Sequence, residues 1–221
     1  MNRIYLVRHG ENTANITREF SYKVVDYSLT PRGILQAEQT ALFFRDKQID
    51  EIYASPLKRA RETAEIIAKE NNLPVTLKEQ FREVNVGHLE LQPPSNENWM
   101  LHDRIVTAWL LGNRELAFPG GENYNEMLRR MREGLQEVLA GKDEKNIIIV
   151  GHSGIFTLTL RDICLNINGE TFPDKIKHNC SITEIEMQLI DRQPRGILKT
   201  WAACDHLSGE AAPMLRINPY H

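Results

Sequence analysis

Two histidines in this sequence each follow a short apolar run and lie next to a glycine. His9 ends the stretch IYLVRH, with Arg8 immediately before it and Gly10 after it. His152 follows the run NIIIV in the stretch VGHSG. In an open α/β sheet, ligands bind outside the carboxyl ends of the strands, where residues after the last apolar position arrive. We therefore expect the two histidines to belong to one site.

Several cations accompany these histidines. The block SPLKRARETA places Lys58, Arg59 and Arg61 in the first two turns of a predicted helix. Cations are disfavoured near the positive end of a helix, so a bound anion would offset their cost. GHSG also opens a predicted helix, whose first backbone N–H groups suit an anion. The pattern therefore predicts an anion site, with Lys58 and Arg61 interpreted as a solvated helix face that tunes its field.

Phosphoryl transfer would use every group in this set. A neutral imidazole can attack phosphorus, and two guanidinium groups can bind the equatorial oxygens in fork geometry. A second histidine can donate a hydrogen bond to the developing charge, and a carboxyl group can protonate the leaving oxygen. Such a mechanism needs neither a metal ion nor a cofactor, and we predict none.

The order of the elements indicates how these residues are positioned. Five runs rich in β-formers are predicted strands: RIYLV, DEIYAS, NIIIVGH, CSITEIEM and ILKTWAA. Helical patterns separate most of them, which predicts crossover connections and a mostly parallel sheet. NIIIV has no polar face, as expected of a strand covered on both sides by helices.

Capping signals predict where the helices begin. Thr30 and Pro31 are a typical N-cap and first residue, and Ser55 and Pro56 repeat the pair. A third helix begins near GGENYNEM and is expected to end at Gly141. The apolar residues of the first helix recur at helical spacing and are Ile34, Leu35, Leu42 and Phe43.

A segment rich in prolines interrupts this alternation between Glu83 and Gly120. It contains the stretch WMLHDRIVTAWLLG, a predicted short amphipathic helix. One interpretation is a surface insertion packed by Trp99, Trp109 and Leu110, and the other is a lid over the site. The sequence does not separate them.

Composition narrows the class of protein. The 221 residues carry 27 Lys and Arg against 30 Asp and Glu, so no bulk basic field indicates nucleic acid as a partner. No run approaches the ~18 apolar residues of a spanning helix, and no secretion signal is evident. The odd number of cysteines, without CxxC spacing, indicates neither disulfides nor a zinc ribbon. We expect a cytoplasmic protein with no membrane contact.

Five blocks in this order and spacing resemble the histidine phosphatase superfamily, which includes the cofactor-dependent phosphoglycerate mutases. They are LVRHGENTAN, LTPRGILQA, SPLKRARETA, FREVNVG and VGHSG, and they extend from about Ile4 to about Arg161. The resemblance implies a three-layer α/β sandwich with helices on both faces of a mostly parallel sheet. It also implies one domain over residues 1–221, with a small helical cap insertion at about 91–118.

The resemblance assigns roles to individual residues. His9 resembles the phosphorylated nucleophile of the family, and Arg8 and Arg59 resemble its two phosphate-binding arginines. His152 matches the second histidine of the pocket, and Glu83 resembles the proton donor.

Further residues are assigned to substrate binding by the same resemblance. They are Asn15 in RHGENTAN, Ser21 in EFSYK and Ser153 in GHSG. The chain departs from the family pattern at Asn12, where threonine or serine is common, and at Ser153, where glycine or alanine is common. A further departure is GHLEL after Glu83, which indicates a reshaped wall there.

Other titratable residues have simpler interpretations. Glu11, Glu79 and Glu90 could compete with Glu83 for the role of proton donor. Cys204, Asp205 and His206 are adjacent along the chain, and adjacent side chains rarely bind one metal ion. The remaining histidines are interpreted as surface or packing residues, and they are His88, His102, His178 and His221.

The leading functional hypothesis is a metal-independent phosphatase acting on a small phosphorylated metabolite, with inorganic phosphate as product or inhibitor. The alternative is a phosphoglycerate mutase, which would return the phosphoryl group to a bound glycerate. A less favoured alternative is an inactive member that binds a phosphorylated ligand or a protein. The segment around Trp99 and Trp109 also leaves a homodimer open.

Overall fold

The structure is a computed structural model that describes residues 1–167 and 178–212. Its strands are β1 (Asn2–Arg8), β2 (Glu51–Ala54), β3 (Val75–Leu77), β4 (Asn146–Gly151), β5 (Ile182–Ile190) and β6 (Gln193–Ala203). Its helices are α1 (Thr13–Thr17), α2 (Pro31–Phe44), α3 (Lys58–Asn71), α4 (Asn96–Leu110), α5 (Tyr124–Leu139) and α6 (Ser153–Ile163). Short 3₁₀ turns occur at Glu79–Phe81, Gly87–Leu91 and Gly209–Ala211.

The strands form one sheet in the order β3-β2-β4-β1-β5-β6. The first four of these are mutually parallel, whereas β5 pairs antiparallel with β1 and β6 antiparallel with β5. Arg8 pairs with Gly151 at the carboxyl ends of β1 and β4. The predicted mostly parallel sheet is confirmed, and it brings the ends of β1, β2 and β4 to one edge.

Alternation along the central strands places helices on both faces. Ile147 and Ile149 of β4 join one buried cluster, which contains the apolar residues of α5 and α6. Ile148 and Val150 join the other cluster, which contains residues of α2 and α3. Because the side chains of a strand alternate between the two faces of a sheet, a strand without a polar face must be covered by helices on both faces. The predicted three-layer α/β architecture is therefore confirmed.

Helix α2 begins as predicted, but its buried face is different. The Thr30 hydroxyl accepts a hydrogen bond from the Gly33 N–H, and Pro31 is the first helical residue. The apolar side chains that recur at helical spacing are exposed, and they are Ile34, Leu35, Leu42 and Phe43. The buried face instead consists mostly of small residues, which let α2 approach the turn after β1 closely. A methyl group at Gly33 would lie 2.1 Å from the Glu11 carbonyl oxygen.

The predicted start of α3 at Ser55 and Pro56 is wrong. The helix begins at Lys58 and its N-cap is Leu57, which makes no side-chain cap hydrogen bond. The hydroxyl of Ser55 contacts Nε2 of His152 at 2.7 Å instead. A buried histidine nitrogen needs a hydrogen-bond partner. Ser55 and His152 meet only once β2 and β4 are paired.

The amphipathic helix predicted between Glu83 and Gly120 is confirmed as α4. Trp109 is buried, and its indole N–H donates to the Leu116 carbonyl at 2.6 Å. Leu110 is exposed, so its expected packing role is wrong. Helix α5 ends at Leu139, just before Gly141 with its φ of 68°, as the glycine signal predicted. No helix in the described part of the chain is long and apolar enough to cross a membrane.

Candidate active site

A cavity of about 320 Å³ lies at the carboxyl end of β1. All the site residues predicted from the sequence except His152 line it, and they are Arg8, His9, Asn15, Ser21, Arg59, Glu83 and Ser153. The sheet edge therefore brings residues from four of the five sequence blocks, together with Ser21, to one place.

His9 is buried at the floor of this cavity, and its hydrogen bonds define its tautomer. The guanidinium Nε–H of Arg59 donates to Nε2 of His9 at 3.1 Å. Since arginine only donates, Nε2 must carry a lone pair, so Nδ1 carries the proton and donates to the Gly10 carbonyl at 2.7 Å. Burial and the charges of Arg59 and Arg8 hold the pKa of His9 well below its ordinary value. His9 is thus a neutral imidazole.

Arg59 is buried and held by three hydrogen bonds. Besides the contact with His9, Nη1 donates to the Ser21 hydroxyl at 2.7 Å and Nη2 donates to the Ser21 carbonyl at 2.8 Å. Burial lowers its pKa to about 10, although the carboxylates of Glu83 and Asp26 act in the opposite direction. The guanidinium remains charged at neutral pH and directs its charge at His9.

His152 is not among the residues that line the cavity, but its ring packs against that of His9. It is fully buried, and its ring centroid is 5.2 Å from that of His9. Burial and the charge of Arg59 hold the pKa of His152 well below its ordinary value. Its Nδ1 is buried and has no hydrogen-bond partner among the described residues. A buried polar atom of this kind is a candidate contact for a ligand.

Glu83 lies across the N-terminus of α6. Its Oε2 accepts from the Gly154 N–H at 3.0 Å, and its Oε1 accepts from the N–H groups of Ile155 at 2.8 Å and Val84 at 2.9 Å. A methyl group at position 154 would lie 2.7 Å from Oε1 of Glu83, so the second glycine of VGHSG permits this approach. The helix end orients the carboxylate at the cavity.

An ion pair between the half-buried Arg130 and the buried Glu122 supports the segment that carries Glu83. Arg130 and Glu122 pair at 2.7 Å, and Nη2 of Arg130 also donates to the Glu83 carbonyl at 2.9 Å. Glu122 accepts from the Asn85 N–H at 2.8 Å. Sequence reasoning missed both residues, because neither belongs to a motif and the pair is formed only when α5 packs against this segment.

The asparagines of the first block have a structural role as well. Asn12 and Asn15 form a reciprocal capping box at the start of α1. The Asn15 side-chain oxygen also accepts from Nδ2 of Asn179 at 2.9 Å, and Nδ2 of Asn179 lies 3.0 Å from the His9 carbonyl. The departure at Asn12 therefore retains a capping residue. Asn179 was missed, and the weak echo NCSITEIE was its signal.

Part of the cavity wall is aromatic, and a carboxylate other than that of Glu83 lies beside the aromatic rings. Phe20, Trp99 and His102 line the cavity and pack against one another, with the rings of Phe20 and Trp99 4.3 Å apart. Glu19 lies beside them in the cavity wall. His102, which was interpreted as a surface or packing residue, does pack against Phe20 and Trp99, and it also lines the cavity. Its position is a consequence of how α4 folds over the cavity.

The acids that could compete with Glu83 have other partners. Glu79 is exposed and pairs with Arg82, and Glu11 pairs with Arg32 at 2.7 Å. Glu90 is buried away from the cavity and accepts hydrogen bonds from a loop. None of the three lines the cavity, which favours Glu83 as the acid at the site.

The triplet from Cys204 to His206 is no metal centre. Nε2 of His206 contacts the Thr40 hydroxyl at 3.1 Å, and burial lowers the pKa of His206 to about 4. Within residues 1–167 and 178–212, no group of three or more His, Cys, Asp or Glu side chains could hold a metal ion.

Fold and site together define an α/β protein with two histidines and two arginines at one sheet edge. The model of the histidine phosphatase superfamily (branch 1) matches residues 4–195, and the chain belongs to this superfamily. This confirms the resemblance identified from the five sequence blocks.

Named relatives are both mutase-like and phosphatase-like. The chain is 31% identical to a probable phosphoglycerate mutase of Erwinia tasmaniensis, over 98% of this chain and 100% of that protein. It is 31% identical to putative phosphoserine phosphatase 2 of Hydrogenobacter thermophilus, over 85% and 91%. A mycobacterial glucosyl-3-phosphoglycerate phosphatase solved with inorganic phosphate has a TM-score of 0.75 and 21% identity, over 94% and 100%. The last similarity shows the fold alone.

Proposed function

We propose that the protein is a metal-independent phosphomonoester hydrolase that acts through a phosphohistidine on His9. The observation that carries this proposal is the tautomer of His9. Its Nδ1–H is bound to the Gly10 carbonyl, so the lone pair on Nε2 lies beside the guanidinium of Arg59 in the cavity. A neutral imidazole with an oriented lone pair is a nucleophile for phosphorus.

In the first step, Nε2 of His9 attacks phosphorus and the bond to the leaving oxygen breaks. The substrate binds as a monoanion, and Glu83 takes up its proton. Glu83 then delivers this proton to the leaving oxygen, so the alcohol leaves as a neutral molecule. In the second step, Glu83 takes a proton from water, which attacks the phosphohistidine. Glu83 passes this proton to the phosphate, inorganic phosphate leaves as its monoanion, and His9 returns to its starting tautomer.

The cations and donors around His9 serve the phosphoryl oxygens. Arg59 exchanges its contact with His9 for a phosphoryl oxygen, while Arg8 binds from the other side. Nδ1 of His152, buried and without a described partner, donates to the phosphoryl group. Asn15 and Ser153, both in the cavity wall, complete the binding set.

The residues that line the cavity favour hydrolysis of a small, weakly charged phosphate ester. A phosphoglycerate carries a carboxylate besides its phosphoryl group, and that carboxylate would face Glu19 and the aromatic rings of Phe20 and Trp99. Like charges in a partly desolvated cavity repel. We therefore propose a leaving alcohol with an apolar face and no second anion, and a single domain over residues 1–221 whose cap at about 91–118 supplies Trp99.

A phosphoglycerate mutase is the second candidate, favoured by the 31% identity to a protein of that name over 98% of this chain. It would use the same histidine and return the phosphoryl group to a bound glycerate. A coupled assay for conversion of 3-phosphoglycerate to 2-phosphoglycerate, with and without the bisphosphate primer, separates the two. Primer-dependent conversion faster than phosphate release would establish the mutase instead.

The decisive experiment is release of phosphate from a panel of phosphomonoesters in the presence of EDTA. We expect wild-type turnover to persist and His9→Ala to lose it. His88→Ala is the matched control, because His88 is exposed and outside the cavity. Turnover of His9→Ala above roughly a tenth of wild type would overturn the assignment.

A further inference from the structure

Glu90 is a buried carboxylate, only 8% exposed, that binds a run of backbone amides. Its Oε1 accepts from the N–H groups of four consecutive residues: Tyr22 at 2.6 Å, Lys23 at 2.6 Å, Val24 at 3.0 Å and Val25 at 3.1 Å. Hydrogen bonds to a charged acceptor are about twice as strong as neutral ones. The loop 22–25 is therefore wrapped around one carboxylate oxygen.

This loop continues directly from the residue that holds Arg59. Ser21 precedes Tyr22, and its hydroxyl donates to the Val25 carbonyl, which closes the loop. The hydroxyl and carbonyl of Ser21 then accept hydrogen bonds from Nη1 and Nη2 of Arg59. A continuous path of hydrogen bonds thus runs from Glu90 to the guanidinium beside His9.

We propose that Glu90 is a positioning residue that sets the orientation of Arg59 through the loop 22–25 and Ser21. Glu90 does not line the cavity, so it acts on the phosphoryl group only through Arg59. The inference rests on the proposed function, because it requires Arg59 to bind the transferred phosphoryl group.

Charge supports the same assignment. Arg59 is buried, and burial disfavours its charged form, whereas Glu90 is among the carboxylates that raise the pKa of Arg59. Glu90 therefore both holds the loop and helps to keep a buried guanidinium charged. A neutral acceptor in place of Glu90 would hold the loop 22–25 less strongly. It would not help to keep the guanidinium of Arg59 charged.

The test compares Glu90→Gln and Glu90→Ala with wild type well below their melting temperatures. Binding of inorganic phosphate is measured by calorimetry, and turnover is measured with p-nitrophenyl phosphate. We expect Glu90→Ala to weaken phosphate binding and to lower kcat/KM by about tenfold or more, with Glu90→Gln intermediate.

Asp50→Asn is the matched control for loss of a carboxylate that caps backbone. Asp50 accepts from the Asn146 N–H at 2.8 Å and pairs with Lys145, at the opposite end of the sheet from the cavity. We expect this variant to lose some stability while phosphate affinity and kcat/KM stay at wild-type values. A loss of phosphate affinity in Asp50→Asn equal to that in Glu90→Ala would contradict the proposal.

An Arg59→Lys background separates positioning from general destabilisation. If Glu90 acts through Arg59, Glu90→Ala should cost about threefold or less in phosphate affinity once Arg59 is replaced. An equal cost in both backgrounds would overturn the proposal, and so would wild-type phosphate affinity in Glu90→Ala. If Glu90→Ala does not fold, the same comparison with Glu90→Gln decides.

The two proposals fail in different ways. Wild-type protein that releases no phosphate from any phosphomonoester removes the proposed function. Wild-type turnover together with unchanged kcat/KM and phosphate affinity in both Glu90 variants removes only the role of Glu90.

Discussion

Nε of Arg59 donates a hydrogen bond to Nε2 of His9 across 3.1 Å, and both side chains are buried. The contact pairs the proposed nucleophile with the cation that would stabilise the transferred phosphoryl group. It also orients the His9 lone pair before substrate arrives, so little reorganisation is needed at the moment of attack. The bound phosphoryl group must then take over the Arg59 donor.

Replacing Arg59 by lysine tests this pairing. A lysine ammonium has no fork and cannot contact His9 and both acceptors of Ser21 at once. We expect Arg59→Lys to lower kcat/KM by about a hundredfold and to weaken phosphate binding. Arg61→Lys is the control, because Arg61 lies on the same helix and forms an ion pair with the exposed Glu65. Similar losses in both variants would contradict a specific role for Arg59.

Replacing Glu83 by glutamine tests proton delivery through its dependence on the leaving group. An alcohol of high pKa needs a proton as it leaves, whereas p-nitrophenolate leaves without one. We expect Glu83→Gln to lower kcat for alkyl phosphates by about 10²–10⁴-fold and for p-nitrophenyl phosphate much less. Glu79→Gln, in an exposed residue paired with Arg82, should behave as wild type. Equal losses on both substrates would exclude Glu83 as the proton donor.

Replacing Glu19 by glutamine tests the proposed selectivity against a second anion. Wild type should hydrolyse 1-naphthyl phosphate with a higher kcat/KM than 3-phosphoglycerate. Removing the carboxylate should raise kcat/KM for 3-phosphoglycerate about five- to tenfold and leave the naphthyl ester almost unchanged. Glu97→Gln on α4 is the control, since Glu97 lies outside the cavity wall. A wild-type preference for 3-phosphoglycerate would contradict the proposed leaving group.

Buried neutral histidines make stability depend on pH. The pKa values of His9 and His152 are held well below 6.5 by burial and nearby arginines, and burial lowers that of His206 to about 4. As pH falls below 6.5, the unfolded chain binds protons that the folded chain refuses, so stability falls. Each such histidine contributes up to about 1.4 kcal/mol per pH unit in this window.

We therefore expect the melting temperature to fall steadily from pH 7 to pH 4.5. His206→Gln should make this dependence shallower, since its window runs from 6.5 to about 4. His88→Gln, in an exposed residue, should leave the slope unchanged. A melting temperature that is flat over this range would show that the buried histidines take up protons in the folded state.

Much of the fold could be predicted from the sequence because its signals are local. The run NIIIV, which became most of β4, has no polar face, and the pair Thr30 and Pro31 starts a helix whatever surrounds it. The start of α3 could not be predicted in this way, since Ser55 is also a plausible cap. Its hydroxyl contacts His152, a residue 97 positions away along the chain.

The buried face of α2 shows a second limit. Ile34, Leu35, Leu42 and Phe43 recur at helical spacing, yet these residues are exposed. The buried face of α2 is instead the one that contains Gly33, because the backbone of α2 lies close to that of Glu11 there. A side chain at position 33 would overlap the Glu11 carbonyl. A hydrophobic pattern reports burial on average and does not record how closely two segments must approach.

By itself, the sequence determined the residue types and order of the site: Arg8 and His9 at the end of β1, Arg59 at the start of α3, Glu83 in its acidic turn and His152 after β4. Only the tertiary structure decided how they are held. The tautomer of His9, the clamp of Ser21 on Arg59, and the supports from Glu90 and Arg130 all depend on contacts between distant segments. Such hydrogen bonds form only when packing removes water from both partners, so no local pattern encodes them.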